Sequence, residues 1–163
     1  MNKPAIVTAP AVIHDTFVLE RTYPSSVARV FGFLSDPAKK RRWFAEGHGH
    51  DVEGYELEFR VGGVERTRYV MDATTPFPGT VLATEGVIAD IVDGSRVVIA
   101  ATMSLGERRI STAIATFELL DKGGETVLIF THQAAFYEGA DGPQMRKGGW
   151  EVLLDKLGKA LAA

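Results

Sequence analysis

The feature that most constrains this chain is a series of strand-like segments joined by very short turns. Four such segments, rich in β-branched and aromatic residues, cover residues 80–91, 96–105, 108–120 and 126–134. The turns between them contain glycine, at Asp93-Gly94, Gly106 and Gly123-Gly124. A parallel crossover needs a dozen or more residues, so strands joined this closely must pair antiparallel. The second half of the chain is therefore predicted to form an antiparallel sheet.

Three more strands are predicted in the first half of the chain. The first covers residues 16–23 and ends at Pro24. From residue 55 to 61, charged side chains alternate with apolar ones, which places the apolar set on one face of a strand: Tyr55, Leu57, Phe59 and Val61. The Gly62-Gly63 turn then leads to a partner strand over residues 64–73. The prolines of residues 74–79 make that stretch a loop.

Two short helices are predicted between the first two strands. Ser25 or Ser26 can cap the first helix, whose apolar residues recur at helical spacing: Val27, Val30, Phe31 and Leu34. Asp36 caps the second helix, and Pro37 stands in its first turn, where a missing N–H does no harm. This second helix is expected over residues 38–44.

The last segment of the chain is predicted to be a long amphipathic helix. Asp141 and Pro143 are start signals, and an apolar stripe follows, led by Met145: Trp150, Leu153, Leu154, Leu157 and Leu161. No other long amphipathic element can cover the apolar face of the sheet. We therefore predict an α+β fold in which a curved antiparallel sheet of about seven strands wraps around this helix. One domain would cover residues 15–163, after an N-terminal extension over residues 1–14.

Composition excludes several classes of function. The 163 residues include 18 Lys and Arg against 21 Asp and Glu, a net charge of -3 that argues against nucleic-acid binding. The absence of cysteine excludes disulfides, thiolate metal sites and a cysteine nucleophile. No apolar run is long enough for a membrane span, and no secretory signal is recognisable, so we expect a cytoplasmic protein. Phosphate-binding loops, dinucleotide fingerprints and nucleophile elbows are also missing, which predicts no cofactor and gives no catalytic signature.

Several short motifs in this order resemble the family named after the activator of the Hsp90 ATPase. The matching segments read PSSVARVF, DP, RWF, FRVGG, ATFE, TH and GGW, at residues 24–31, 36–37, 42–44, 59–63, 115–118, 131–132 and 148–150. This family belongs to the START and Bet v 1 superfamily, and the resemblance implies its helix-grip fold. It also implies a cavity between the sheet and the last helix for small apolar or amphipathic molecules. The chain has no room for the additional Hsp90-binding domain of the co-chaperone, so Hsp90 activation is not expected.

The candidate ligand-binding residues are large or flexible side chains expected on elements that face one another. Aromatic groups offer contact area at low entropic cost, and methionine adapts its shape to different ligands. The alternative for each of them is that it only fills the core. The candidates are Trp43, Phe44, Phe59, Tyr69, Met71, Met103, His132, Phe136, Met145, Trp150 and Leu153.

Two features of the predicted cavity allow more than one interpretation. His132 could act as a general base with Glu85 or Tyr69 as companion, but a hydrogen-bonded structural histidine is favoured. Gly148-Gly149 is costly inside a helix, at roughly 1 kcal/mol per glycine. Close packing on the sheet, a helix that starts only at Trp150, or space left for a ligand could explain it.

Two polar segments are interpreted as surface features. His48 and His50 alternate with glycine in a loop, and such a flexible segment is a poor metal site, so no metal is predicted. The basic run of residues 39–42 could attract an anion, but on a short surface helix a solvated face is favoured.

The sequence thus predicts binding of a small hydrophobic or amphipathic ligand in the cavity. One alternative is a cyclase-like or hydrolase-like enzyme that acts on such a ligand, because relatives in the superfamily include both. Another alternative is a co-chaperone-like interaction module or a homodimer that uses the open sheet edge or the outer face of the sheet. Fold alone does not decide among these functions.

Overall fold

An antiparallel sheet curves around a long C-terminal helix, as the computed structural model of the protein shows for residues 11–47 and 50–163. The elements are β1 (Ile13–Tyr23), α1 (Val27–Ser35), α2 (Pro37–Lys40), β2 (His50–Leu57), β3 (Val64–Met71), β4 (Val81–Val92), β5 (Arg96–Leu105), β6 (Arg108–Lys122), β7 (Glu125–Phe136) and α3 (Pro143–Ala162). The predicted α+β helix-grip fold is confirmed. β1 begins inside the segment predicted as an extension, and residues 1–10 lie outside the described part.

The seven strands form a single sheet in the order β1-β7-β6-β5-β4-β3-β2. All neighbouring strands are antiparallel, and β1 pairs with β7 from Ile13 opposite Phe136 to Tyr23 opposite Thr126. Strands β2 to β7 are therefore sequential neighbours, as their short connections require. β1 is the edge strand next to β7. None of the described helices has the length and apolar character needed to cross a bilayer.

The helices after β1 begin at the predicted caps. The Ser26 side chain accepts a hydrogen bond from the backbone N–H of Arg29, and the Asp36 carboxylate accepts from the next two N–H groups of its helix. The prediction of one α-helix over residues 38–44 is wrong in part, because α2 is followed by a π-helical turn, Arg41–Ala45. This wider turn accompanies the inward placement of two adjacent aromatic residues, Trp43 and Phe44.

The predicted strand over residues 55–61 is shifted. β2 ends at Leu57, and the alternation stops there: Phe59 is half-buried, but Val61 is 57% exposed. The chain turns at residues 58–63, where a side chain at Gly63 would collide with the carbonyl oxygen of Glu58. Only glycine fits this close approach, so the glycine pair ends β2 earlier than the apolar pattern indicates.

Helix α3 packs tightly on the rest of the protein in its C-terminal half. The Tyr23 hydroxyl donates to the carbonyl oxygen of Leu154 at 2.7 Å, and the Arg29 guanidinium donates to that of Leu161 at 2.9 Å. Gly158 approaches Tyr23 so closely that an added Cβ would lie 3.1 Å from its ring. Leu154, Leu157 and Leu161 are buried in the core. The N-terminal half of α3 lies over β3 to β7, where Gly148 and Gly149 have nothing within 4 Å of an added Cβ.

Candidate ligand-binding cavity

A cavity of about 580 Å³ lies between the N-terminal half of α3 and the concave face of the sheet. Strands β3 to β7 form one wall, α3 forms the other, and Lys40 and Phe44 contribute from the helical segment after α1. Cavities that hold small molecules typically have volumes of about 300–1,000 Å³, so this one has the size of a binding site. Most of its lining is apolar: among others Ile99, Ala101, Ile110, Ala115 and Phe117.

Eight of the eleven candidate residues line this cavity. They come from β3, β5, β7, α3 and the π-helical turn, so the fold brings together side chains that are far apart in sequence. That they contact a ligand remains a prediction. The eight residues are Phe44, Tyr69, Met71, Met103, His132, Met145, Trp150 and Leu153.

The other three candidates pack elsewhere. Trp43 is fully buried, and its indole N–H donates to the carbonyl oxygen of Phe33 at 2.8 Å, so it fills the core. Phe59 packs edge-to-face against Phe31, with ring centroids 5.7 Å apart. Phe136 is 1% exposed and lies under the guanidinium of Arg146, 5.1 Å from it.

Trp150 is the centre of an aromatic cluster in the cavity wall. Its ring centroid lies 4.2 Å from that of Phe130, 5.8 Å from Phe44 and 6.0 Å from Phe117. These rings come from α3, from two strands and from the π-helical turn. They give the cavity a polarisable surface that suits an apolar or ring-bearing molecule.

The glycine pair in α3 leaves open space. Nothing lies within 4 Å of a Cβ added at Gly148 or Gly149, so close packing on the sheet does not explain the pair. A late start of the helix is also wrong, since α3 begins at Pro143. Gly149 lines the cavity, which leaves the third interpretation: the missing side chain keeps volume free next to Trp150.

A buried ion pair in the cavity wall was not expected from the sequence. Lys40 is 2% exposed, and its ammonium lies 2.6 Å from the carboxylate of Glu65, which also accepts a hydrogen bond from the Tyr55 hydroxyl at 2.9 Å. The interpretation of residues 39–42 as a solvated face is therefore wrong for Lys40. Burial and the adjacent Glu65 carboxylate raise the pKa of Tyr55 far above its ordinary value.

A second polar cluster lies at the start of α3. The Arg146 guanidinium is bound side-on by Asp141, with Nε and Nη2 donating at 2.7 and 2.8 Å, and Nη2 also donates to the Ser111 hydroxyl at 3.0 Å. Arg146 is 7% exposed, and all three residues line the cavity. This bidentate arrangement is the strong form of an arginine–carboxylate contact.

The environment of His132 differs from the favoured interpretation of a hydrogen-bonded structural histidine. Its ring stacks on Phe17 with centroids 4.8 Å apart, and its buried Nδ1 has no hydrogen-bond partner among the described residues. Burial, assisted by the positive charge of Arg146, lowers the pKa of His132 to about 4. The expected hydrogen-bonded structural histidine is therefore not observed at Nδ1. Its suggested companion Glu85 is exposed, whereas Thr84 and Gly86 on either side of it line the cavity.

Sequence spacing could have indicated the face of its element on which each polar wall residue lies, although not that it is buried. Lys40 precedes Phe44 by four positions, and Arg146 precedes Trp150 by four, so each cation shares a helix face with a candidate aromatic residue. Glu65 has the same strand parity as Tyr69. By contrast, His48 lies outside the described residues. The described part of the chain contains no group of three or more side chains that could hold a metal ion.

Fold and cavity together define a helix-grip protein with an internal cavity between sheet and helix. The sequence model of the Activator of Hsp90 ATPase homolog 1-like protein family matches residues 24–162. The chain belongs to this family. None of the curated protein sequences matches it.

Solved structures show the same fold. An uncharacterised protein from Rhizobium leguminosarum is 36% identical, with a TM-score of 0.86, and the match covers 95% of this chain and 99% of that one. A protein from Rhizobium loti is also 36% identical, with a TM-score of 0.82 and coverage of 93% and 99%. CalU16 from Micromonospora echinospora is 20% identical, with a TM-score of 0.59 and coverage of 93% and 87%, and shows the fold alone.

Proposed function

We propose that this protein binds a small apolar or amphipathic molecule in the cavity between the sheet and α3. The observation that carries the proposal is an internal volume of about 580 Å³ whose lining is mainly aliphatic and aromatic. Filling such a space with a ligand removes apolar surface from water, which favours binding by about 25 cal/mol per Å². An empty cavity of this size would reduce the stability of the fold with no gain.

Access to the cavity is available at one end. Phe77 is 54% exposed and Met145 is 70% exposed, yet both also line the cavity, so they mark its opening to solvent. Methionine at such a rim can adjust to the shape of an entering molecule. These features support a site that exchanges its ligand with solvent.

The enzymatic alternative has less support in the same cavity. The carboxylates of its described lining, Glu65 and Asp141, are each bound to a cation, and His132 has Nδ1 enclosed by packing. A general base needs access to a substrate proton. The described wall of the cavity is supplied by one chain, so the proposed binding does not require a second copy. A cytoplasmic location remains a prediction.

The proposal is tested with N-phenyl-1-naphthylamine, an uncharged apolar dye whose fluorescence rises in apolar surroundings. We expect saturable binding to the wild-type protein. Gly149→Phe fills the space beside Trp150 and is expected to weaken binding about tenfold, which corresponds to about 1.4 kcal/mol. Gly148→Phe is the matched control, since Gly148 also has open space around it but is not part of the cavity wall.

Equal dye affinity of the two variants would contradict the location of the site. Lack of saturable binding to the wild-type protein would contradict the proposed function itself. Urea unfolding of both variants verifies that they are folded, and a phenylalanine in place of glycine is not expected to destabilise α3 at either position.

A further inference from the structure

The charges in the cavity wall cancel one another. The fixed charges among its described lining residues are Lys40, Glu65, Asp141 and Arg146, which sum to zero. Each cation is bound to an anion, Lys40 to Glu65 at 2.6 Å and Arg146 to Asp141 at 2.7 Å. The remaining lining residue whose ordinary pKa is close to neutral pH is His132. Burial lowers its pKa, so it adds no positive charge at neutral pH. The described wall therefore offers no uncompensated positive charge to a ligand.

This balance opposes the binding of an anion. A carboxylate that enters an apolar cavity loses its hydration, and only an unpaired cation or several free donors would compensate for that loss. Here an entering carboxylate would also meet the carboxylates of Glu65 and Asp141 on the wall. An uncharged molecule loses far less hydration and experiences no such repulsion.

The wall nevertheless retains free hydrogen-bond donors on Arg146. A guanidinium has five N–H groups, and Arg146 uses three of them: Nε and one of Nη2 for Asp141, and the other of Nη2 for Ser111. Nη1 has no hydrogen-bond partner among the described residues, and unlike Nδ1 of His132 it is not fully enclosed. Arg146 lines the cavity one helical turn before Trp150. A polar group of a ligand can therefore reach Nη1 while its apolar part contacts Trp150.

We infer that the cavity selects uncharged molecules with a carbonyl oxygen that accepts hydrogen bonds from Nη1 of Arg146, in preference to carboxylates of the same shape. This inference rests on the proposed ligand binding and names the chemical class of the ligand. Asp141 has two roles in it. Its carboxylate holds the guanidinium in a fixed orientation, and its negative charge cancels the positive charge that would otherwise attract an anion.

Two probes with the same ring system test the preference. Methyl 2-naphthyl ketone is uncharged, and 2-naphthoate carries a full negative charge at neutral pH. Displacement of N-phenyl-1-naphthylamine from the wild-type protein measures both affinities. We expect the ketone to bind at least about tenfold more tightly, because burial of an uncompensated charge costs more than that factor.

Asp141→Asn tests the role of charge balance. The substitution keeps the shape of the side chain but leaves the charge of Arg146 uncompensated, so 2-naphthoate is expected to bind about tenfold more tightly than to the wild-type protein. The affinity for the ketone should not rise with it, because the ketone has no charge to pair with the guanidinium and loses the fixed orientation that Asp141 provides. Asp155→Asn is the matched control, since Asp155 is exposed and pairs with Arg21 outside the cavity.

Arg146→Lys tests the contact itself. Lysine keeps the charge but has no planar fork, so it cannot bind Asp141 side-on and present a second nitrogen to a ligand. The ketone is expected to bind about tenfold more weakly to this variant, as for loss of a hydrogen bond to a charged group. The apolar dye, which has no carbonyl oxygen, should lose several-fold less affinity than the ketone.

The outcomes separate this inference from the function on which it rests. Equal or tighter binding of 2-naphthoate to the wild-type protein would overturn the selection of uncharged ligands while leaving a binding cavity intact. An unchanged ketone affinity in Arg146→Lys would overturn the role of Nη1. If neither the dye nor the ketone binds, the proposed function fails. The comparison on the wild-type protein decides the preference even where a variant does not fold.

Discussion

Lys40 and Glu65 form a 2.6 Å ion pair although only 2% and 6% of their side chains are exposed. The ammonium also lies 4.9 Å from the ring of Phe44 and 5.6 Å from that of Phe117, so it is surrounded by aromatic faces. Two charges so deeply buried lose their hydration, and only their mutual contact and nearby hydrogen bonds compensate for it. The pair connects α2 to β3 in the wall of the cavity.

Removal of one partner of this pair should destabilise the fold strongly. Lys40→Met keeps most of the side-chain volume but leaves Glu65 buried without a cation. We expect the free energy of unfolding to fall by about 3–5 kcal/mol, measured by urea denaturation near neutral pH. The double variant Lys40→Met/Glu65→Leu should be more stable than the single variant, because it contains no unpaired charge.

The control for this prediction is an ion pair on the surface. Arg96 and Asp90 are 2.6 Å apart, with 46% and 44% of their side chains exposed. Arg96→Met is expected to cost less than about 1 kcal/mol, as is typical of solvated pairs. If Lys40→Met costs no more than Arg96→Met, the Lys40–Glu65 pair is not buried as the structure shows.

The lowered pKa of His132 predicts a loss of stability in mild acid. Above pH 6.5, the ordinary pKa of histidine, the imidazole is neutral in both the folded and the unfolded chain. Between pH 6.5 and about 4, the unfolded chain binds a proton that the folded chain does not, so the free energy of unfolding falls as the pH falls. The slope is about 1.4 kcal/mol per pH unit, and the total is about 3 kcal/mol.

His132→Phe isolates this contribution from that of the carboxylates. The variant keeps a ring against Phe17 but cannot titrate, so its stability should decrease less than that of the wild-type protein over the same pH range. His14→Phe serves as the control for replacing a histidine with phenylalanine, since His14 is exposed. Parallel pH profiles for the wild-type protein and His132→Phe would show that His132 is not held neutral by burial.

The two tryptophans should separate stability from binding. Trp150 lines the cavity, whereas Trp43 is fully buried and donates to Phe33. Trp43→Phe is expected to lower the free energy of unfolding by about 2–3 kcal/mol, since it leaves a void and an unpaired carbonyl group, with dye affinity unchanged. Trp150→Phe should instead lower dye affinity several-fold at a smaller cost in stability. The opposite pattern would place the ligand next to Trp43.

Much of the fold could be predicted from local patterns, because short turns dictate antiparallel neighbours and one amphipathic helix must cover the sheet. The limits of β5 are as predicted, and those of β4, β6 and β7 differ by no more than two residues at either end. β2 was misplaced because the apolar alternation continues through Phe59 and Val61, while the tight turn at Gly63 decides where the strand ends. Backbone geometry here overrides the side-chain pattern.

The candidate site could be predicted only in its apolar part. Aromatic and methionine residues indicate an internal surface by their type, but Lys40 and Arg146 are residue types usually found in water. Their burial depends on carboxylates outside their own helices, Glu65 for Lys40 and Asp141 for Arg146. A single sequence does not contain such pairings. Helix phase shows which face a cation occupies but not what neutralises it.

The glycines of α3 show where the helix packs closely on other elements and where it does not. An added Cβ at Gly158 would lie 3.1 Å from the ring of Tyr23, whereas nothing lies within 4 Å of one at Gly148. Gly148→Ala should therefore raise the free energy of unfolding by about 1 kcal/mol through helix propensity alone. Gly158→Val should lower it by about 1–3 kcal/mol, because the branched side chain displaces Tyr23 and its hydrogen bond to Leu154. Urea denaturation measures both changes. Stabilisation by Gly158→Val would contradict the close packing of α3 against Tyr23 of β1.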